Sequence, residues 1–214
     1  MHIFLDTANI EQIKDAVRLG VISGVTTNPT LISKEGGDYK AIIKEICGLV
    51  PGAVSAEVLG ETAAEMIDEA QKIALWAPNI AVKIPATAAG IEVTAVLAKE
   101  NIKVNFTLCF SLNQALLGAQ AGATYVSSFV GRVDDVGQDG MGLVKDIVDV
   151  FTHYQLTTQV IAASIRHPRH CVLAAQAGAH IATIPYPVLM QMIRHPLTDV
   201  GVVRFREDFK AAQK

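Results

Sequence analysis

Strand-like and helix-like patterns alternate eight times along this chain of 214 residues. The strand-like runs are short and mostly apolar, and segments with apolar residues at helical spacing lie between them. In "NIEQIKDAVRLG", for example, Ile10, Ile13 and Val17 share one helix face, and Gly20 ends the helix. Such strands pair in parallel beneath a helical cover, which predicts an α/β fold. The predicted strands are residues 2–6, 24–28, 54–58, 80–84, 103–108, 125–130, 159–164 and 180–184.

The number and size of these units favour a closed barrel. Dividing 214 residues among eight units gives about 27 residues each, near the lower size limit of a (β/α)8 TIM barrel. We therefore predict one (β/α)8 domain over residues 1–214, with an extra C-terminal helix at 197–214 that packs on a neighbouring subunit. A doubly wound open sheet is the alternative, although no G-x-G-x-x-G follows the first strand.

Composition excludes several classes of protein. The net charge of −3 gives no support for a nucleic-acid or anionic-membrane partner. No apolar run approaches the roughly 18–20 residues that span a bilayer, and the N-terminal "MHIFLDTANIEQ" lacks a signal-peptide pattern. Three cysteines without C-x-x-C spacing suit a reducing compartment. These features predict a soluble cytoplasmic protein.

Polar residues recur late in seven of the predicted strands. In parallel barrel strands alternate side chains point inward, and functional groups gather at the C-terminal ends. Any single one of these residues could simply bond a loop or cap a helix; Asp6 could open a helix. Seven strands with the same placement instead predict one converging polar site. The residues are Asp6, Asn28, Glu57, Lys83, the pair Asn105 and Thr107, the pair Ser127 and Phe129, and the pair Ser164 and Arg166.

Lys83 is the most informative of these residues. It lies among apolar residues in "NIAVKIP", where an ammonium group is costly to bury. Burial favours the neutral amine, a nucleophile that forms Schiff bases with carbonyl compounds. Two carboxylates, Asp6 and Glu57, could divide the acid and base steps of such a reaction. Because a carboxylate in contact would favour the ammonium, we expect both at water-mediated distance from Lys83.

Two arginines suggest what the substrate carries. Arg166, beside Ser164, and Arg132 in "FVGRVDD" form a suitable grip for a phosphate group, which arginine binds through paired charge-assisted hydrogen bonds. The residues thus predict a phosphorylated carbonyl substrate.

Six ordered motifs resemble those of the transaldolase family. The resemblance runs from "FLDTAN" to the C-terminal helix, and the short chain is similar to the small branch that includes the fructose-6-phosphate aldolases. The motifs are "TTNPTLI" (26–32), "SAEV" (55–58), "VKIPAT" (82–87), "NFTLCFS" (105–111), "SSFVGRVDD" (127–135) and "ASIRHP" (163–168).

The resemblance implies a role for each candidate residue. Lys83 would form the Schiff base with C2 of a ketose phosphate, and Asp6 would take the C4 hydroxyl proton as the C3–C4 bond breaks. Glu57 and Thr107 would hold the water that shuttles protons. The dihydroxyacetone unit would be held by Asn28, Asn105 and Ser127, and the phosphate by Arg132, Ser164 and Arg166.

The resemblance also implies a TIM barrel without metal or organic cofactor, sugar-phosphate substrates, and homo-oligomers that are pentamers or decamers. Glu57 and Phe129 match the transaldolases, whereas the aldolases have glutamine and tyrosine at these positions. A phenol near the enamine could deliver the proton that releases free dihydroxyacetone, and a phenyl ring cannot. These two residues therefore favour transfer in the pentose phosphate pathway over release, with the aldolase as the alternative.

Two other classes remain as alternatives. "RHPRHC" places His167 and His170 one helical turn apart, a usable metal-ligand spacing, but no third inward ligand is evident at a similar depth. A non-catalytic phosphosugar-binding barrel would explain the arginines but gives no reason for a lysine between two carboxylates.

Overall fold

A computed structural model describes residues 1–213 as a barrel of parallel strands surrounded by helices. Each strand pairs with the next along the chain, and the last pairs with the first. This closure confirms the predicted (β/α)8 TIM barrel and excludes the open doubly wound sheet. The strands are β1 (His2–Asp6), β2 (Gly24–Thr26), β3 (Val54–Glu57), β4 (Ile80–Pro85), β5 (Val104–Cys109), β6 (Tyr125–Phe129), β7 (Gln159–Ala163) and β8 (Ile181–Ile184).

Helices between the strands form the outer layer, and the last helix follows the barrel. No helix among residues 1–213 has the length and apolar character needed to cross a membrane. The helices are α1 (Ile10–Arg18), α2 (Pro29–Glu35), α3 (Tyr39–Leu49), α4 (Ala63–Ala74), α5 (Ala88–Lys99), α6 (Leu112–Gln120), α7 (Val130–Asp135), α8 (Gly140–His153), α9 (Pro168–Gln176), α10 (Tyr186–Ile193) and α11 (Pro196–Ala212).

Side-chain caps place the helix starts close behind the strands. Asn28 accepts a hydrogen bond from the Leu31 amide and precedes Pro29, a residue well suited to the first turn. Thr62 and Glu65 form a reciprocal capping box at the start of α4. The predicted strand 24–28 is therefore too long: β2 ends at Thr26 because Asn28 already caps α2.

The outward faces of the strands form the main hydrophobic core with the helices. Leu5, Val82 and Phe106 are fully buried on these faces. Gly118 on α6 fits against β5 because a methyl group there would lie 2.5 Å from the Phe106 ring. The helices thus cover the sheet at close range, which holds the strand ends in fixed positions.

The barrel interior differs from one end to the other. An apolar cluster fills the end where the strands begin, and we call it the apolar end; its members are Phe4, Ala53, Ala81, Ile161 and Ile181, with Tyr125 packed against them. Gly24 makes room for it, since a methyl group there would lie 2.6 Å from the Phe4 ring. At the C-terminal ends of the strands the inward-facing residues are polar. We call this the polar end, and it contains the candidate site.

The C-terminal helix stands apart from the core. The sequence predicts it at 197–214, and the structure has α11 over Pro196–Ala212, while Lys214 lies outside the described residues. None of its 17 residues is buried. Its large apolar side chains Leu197, Phe205 and Phe209 are exposed.

Candidate active site

A cavity of about 120 Å³ opens at the polar end of the barrel. Eight of the eleven predicted site residues line it: Asp6, Asn28, Lys83, Thr107, Ser127, Phe129, Arg132 and Ser164. A wider depression of about 360 Å³ shares Asn28, Lys83, Phe129 and Arg132 with this cavity and adds Glu57. Nine of the eleven residues therefore line the cavity or the depression, because all eight strands run in the same direction, whereas Asn105 and Arg166 line neither.

Lys83 is the one buried lysine among residues 1–213. Its Nζ lies 3.0 Å from Oε2 of Glu57 and donates to the Thr27 carbonyl oxygen at 3.1 Å. The side chains of Lys83 and Glu57 are 7% and 13% exposed, so water screens this ion pair little. The neighbouring strand β3 supplies Glu57 in register with Lys83 on β4.

This contact corrects one expectation. Glu57 was expected at water-mediated distance from Lys83, and that prediction is wrong. A buried ammonium is strongly destabilised without a counter-charge, and β3 places a carboxylate at the matching position of the adjacent strand. The ion pair holds the Lys83 side chain in place against the Glu57 carboxylate. It also gives the ammonium a direct proton acceptor.

Asp6 has different surroundings from Glu57. It accepts a hydrogen bond from the Thr26 hydroxyl at 2.7 Å, and Thr26 and Thr183 hydroxyls lie 2.6 Å apart. Because a carboxylate only accepts, Thr26 donates to Asp6 and Thr183 donates to Thr26. Burial raises the pKa of Asp6 above its ordinary value, while the Thr26 hydrogen bond and the positive charge of Lys83 oppose that rise. Lys83 thus lies between two carboxylates in distinct environments, Asp6 on the cavity and Glu57 on the adjoining depression.

Neither threonine was predicted as a site residue. Thr26 opens the "TTNPTLI" motif two residues before Asn28, so the spacing that identifies inward positions could have found it. Thr183 lies on β8, the one strand without a predicted site residue. Its inward position follows from the same alternation, since Ile181 belongs to the apolar end.

A chain of hydrogen bonds leads from Ser127, which lines the cavity, into the barrel interior. Ser127 donates to Oδ1 of Asn105 at 2.7 Å, and Asn105 donates from Nδ2 to Ser55 at 3.0 Å. Asn105 is fully buried and lies behind Ser127, whereas the resemblance implies a direct role for it in holding substrate. Thr107 also lines the cavity, and its buried hydroxyl has no hydrogen-bond partner among the described residues.

The two arginines are held in different ways. The Arg132 guanidinium lies 5.2 Å from the centre of the Phe129 ring, at cation–π distance, and lines the cavity. Arg166 lies outside the cavity lining and is about half exposed, with Nη2 2.6 Å from Oδ2 of Asp135. The predicted phosphate site would therefore draw on two segments, α7 and the loop that follows β7.

The histidines of "RHPRHC" do not form a metal site. The described residues contain no group of three or more histidine, cysteine, aspartate or glutamate side chains placed to hold an ion. The His170 ring instead lies 3.3 Å from Asp134, measured from Nε2 to Oδ2. Burial lowers the pKa of His170, and the neighbouring His167 adds to that effect.

Comparison with known proteins decides the family. The family model described as transaldolase/fructose-6-phosphate aldolase matches residues 3–214. The chain belongs to this family. A protein of Dehalococcoides mccartyi named probable transaldolase is 62% identical over all of both chains. A probable transaldolase of Thermoanaerobacter is 56% identical over 99% of this chain and 98% of the relative. The chain is accordingly a transaldolase-family enzyme.

A solved structure supports the fold independently. Thiamine phosphate pyrophosphorylase from Pyrococcus furiosus superposes with a TM-score of 0.62 over 86% of this chain and 85% of that one. Sequence identity is only 16%, so this likeness concerns the barrel alone.

Proposed function

We propose that this enzyme is a transaldolase that transfers a dihydroxyacetone unit between sugar phosphates through a Schiff base on Lys83. The donor is sedoheptulose 7-phosphate or fructose 6-phosphate, and the acceptor is glyceraldehyde 3-phosphate or erythrose 4-phosphate. The observation that carries the proposal is a buried lysine at the polar end of the barrel, in contact with one carboxylate and sharing a cavity with another.

The first step forms the Schiff base. Glu57 lies 3.0 Å from Nζ of Lys83 and can take a proton from the ammonium directly. The neutral amine then adds to C2 of the donor, and loss of water from the carbinolamine gives the iminium. Thr107, which lines the cavity and whose hydroxyl has no partner among the described residues, can hold that water.

The second step breaks and remakes a carbon–carbon bond. The Asp6 carboxylate takes the proton of the C4 hydroxyl, the C3–C4 bond breaks, and its electron pair passes into the enamine on Lys83 as the aldose phosphate leaves. The enamine carbon then attacks the aldehyde carbon of the acceptor, and Asp6 returns its proton to the new alkoxide. Hydrolysis of the iminium releases the product ketose and restores Lys83.

Retention of the enamine favours transfer over release. Phe129 is held edge-on against Phe110, with ring centres 5.6 Å apart, and it lines the cavity without offering a proton. By resemblance the aldolases have tyrosine here. The alternative, a fructose-6-phosphate aldolase, would protonate the enamine and release free dihydroxyacetone.

Borohydride trapping tests this function. The enzyme is incubated with fructose 6-phosphate and borohydride, with and without erythrose 4-phosphate, and the adduct is located by intact mass and peptide mapping. We expect a dihydroxyacetone-sized adduct on Lys83 that disappears when acceptor is present. An adduct indifferent to acceptor would indicate the aldolase, and the absence of any adduct would indicate a binding protein without Schiff-base chemistry.

Phe129→Tyr examines the choice between transfer and release. We expect the variant to release more free dihydroxyacetone per transfer event than the parent enzyme, because the phenol can protonate the enamine. The products are quantified separately, with Phe110→Tyr as the control aromatic variant outside the cavity. An unchanged ratio in Phe129→Tyr would contradict the protonation argument.

We also propose that the enzyme acts in the cytoplasm, in the non-oxidative pentose phosphate pathway, as a homo-oligomer. Support for self-association comes from α11, whose 17 residues are all unburied and include the exposed Val200, Val203 and Phe209. A helix of this length is marginal without packing, so a second copy is the expected cover. Light scattering should show an assembly, a pentamer or decamer by resemblance, that Val203→Asp dissociates.

A further inference from the structure

The residues that the sequence predicts to bind phosphate come from two separate segments. Arg132 lies on α7, whereas Ser164 and Arg166 lie in the loop of residues 164–167 between β7 and α9, which we call the β7–α9 loop. A phosphate can bind all three only if this loop and α7 keep a fixed relation. The contacts that fix it involve residues to which neither the motifs nor the proposed mechanism gives a role.

Gly131 brings the two backbones together. Its amide donates to the Ser164 carbonyl oxygen at 3.1 Å. A methyl group at position 131 would lie 2.3 Å from that oxygen and 2.5 Å from Nε of Arg166. Both neighbours are held in place, so any side chain here would push the loop and the Arg166 side chain outward.

Asp135 holds the end of the same arginine. It lies four residues after Gly131, on the same face of α7, and accepts from Nη2 of Arg166 at 2.6 Å. The Arg166 stem therefore crosses α7 at Gly131 and its guanidinium is anchored one turn later. The Arg166 guanidinium carries five N–H donors, and Asp135 accepts from one of them. The remaining donors are left for a phosphate, and the side chain is ordered before substrate binds.

His170 secures the backbone of the loop. Its Nδ1 accepts from the Arg166 amide at 3.4 Å, and its Nε2 faces Asp134 at 3.3 Å. Asp134 also accepts from the Gly140 amide at 2.9 Å, which ties it to the start of α8. The neutral imidazole with its proton on Nε2 satisfies both partners. The two adjacent aspartates of "VDD" thus have different contacts. Asp134 contacts His170, which bonds the loop backbone, and Asp135 bonds the Arg166 side chain.

We propose that Gly131, Asp135 and His170 are positioning residues that dock the β7–α9 loop on α7 and thereby set the affinity for the phosphate group of the substrate. This inference rests on the proposed function and on the role that the sequence predicts for Arg166, which is to bind that phosphate. It also gives a role to His170 of the "RHPRHC" motif, for which the sequence alone offered no function.

Asp135→Asn gives a test with a definite sign. Removing a negative charge near a bound phosphate would by electrostatics alone lower the KM for fructose 6-phosphate. Loss of positioning instead raises that KM, by about three- to fivefold for a half-exposed pair. Asp149→Asn removes the acidic partner of an exposed ion pair with Lys145 on α8 and serves as the matched control.

Gly131→Ala tests the close approach without a charge change. We expect its KM for fructose 6-phosphate to rise by about tenfold or more, because the displaced loop misplaces Ser164 and Arg166 together. Gly48→Ala is the control, since a methyl group at this helical position meets nothing within 4 Å. If Gly131→Ala does not fold, Asp135→Asn decides alone.

A phosphate-free reaction separates positioning from general damage. Trapping of Lys83 by dihydroxyacetone and borohydride needs no phosphate, so its rate should be unchanged in Asp135→Asn. An unchanged or lower KM for fructose 6-phosphate in that variant would overturn the inference, as would equal losses in both reactions. Arg166→Met distinguishes failure of the premise: an unchanged KM there would mean that Arg166 does not bind phosphate at all.

Discussion

The two ends of the barrel interior are built from the same strands, two residues apart. Phe4 at the apolar end is followed by Asp6 at the polar end, Ala81 by Lys83, and Ile181 by Thr183. Each pair shares a face because the side-chain period of a strand is two. Moving two residues along the inward face of a strand therefore leads from an apolar packing residue to a polar residue of the candidate site. The apolar end excludes water and anchors the strands, so the polar groups above it can be held in an ordered network.

Breaking the Lys83 ion pair should have the largest effect on the polar end. Lys83→Ala removes the Schiff-base nucleophile and should lower turnover by about 10⁴-fold or more. It also leaves Glu57 buried without a counter-charge, which should destabilise the fold by about 3 kcal/mol. Stability is measured by denaturant unfolding and turnover by a coupled assay.

The double variant Lys83→Ala with Glu57→Gln is the control for the charge. It should recover most of the lost stability and none of the activity, since the neutral amide needs no cation. Near-normal turnover in Lys83→Ala would contradict the whole mechanism, and a double variant no more stable than the single one would contradict the charge argument.

The apolar end should show the reverse behaviour. Phe4→Ala should destabilise the protein by about 3–5 kcal/mol, because the buried ring leaves a cavity inside the barrel. Turnover per folded molecule should stay close to that of the parent enzyme at a temperature where the variant is folded. Calorimetry and active-site titration by borohydride check the two quantities. A large loss of turnover per folded molecule would show that the two ends are not separable.

The Thr26 hydroxyl offers a finer test of the polar end. Thr26→Val removes the hydrogen bond that opposes the burial-driven rise in the pKa of Asp6. The pKa should rise further, so the carboxylate needed as base is present only at higher pH, and the acidic limb of the pH–rate profile should move upward. Lys83 and Glu57 also face Asp6, and both remain in this variant.

Thr183→Val provides the graded control for that shift. It leaves the direct donor to Asp6 in place and removes only the second hydroxyl, so the acidic limb should move in the same direction by less. An equal shift in both variants, or a downward shift in Thr26→Val, would contradict the proposed direction of the hydrogen-bond chain.

The smallest effect is expected at Ser128, which we compare with its neighbour Ser127. Ser127 points into the barrel and bonds Asn105, whereas the buried Ser128 hydroxyl points toward the helices and has no partner among the described residues. Ser128→Ala should therefore raise stability by about 1 kcal/mol without changing turnover. Thermal unfolding measures the gain, and a loss of stability would show that Ser128 has a partner in solution. Ser127→Ala, by contrast, should lower activity.

The eight strand–helix units, their parallel pairing and the strand-end placement of Asp6, Lys83 and Ser127 could all be predicted from spacing along the chain. Such spacing reports which face of its own strand a residue occupies, because the period is local. It does not report which residue of another strand lies opposite. The β3–β4 register that brings Glu57 into contact with Lys83, and the hydrogen bond between Thr26 and Thr183, are consequently not predictable from that spacing.

What the sequence by itself determined is most of the groups at the polar end and the family to which the chain belongs, since residue type and order carry both. Only the tertiary structure decided which groups touch: that Lys83 is paired before substrate binds, that Asn105 lies behind Ser127, and that Arg166 is anchored on α7. The physical reason is barrel closure, which brings residues distant in the chain to within hydrogen-bond distance through the register of neighbouring strands.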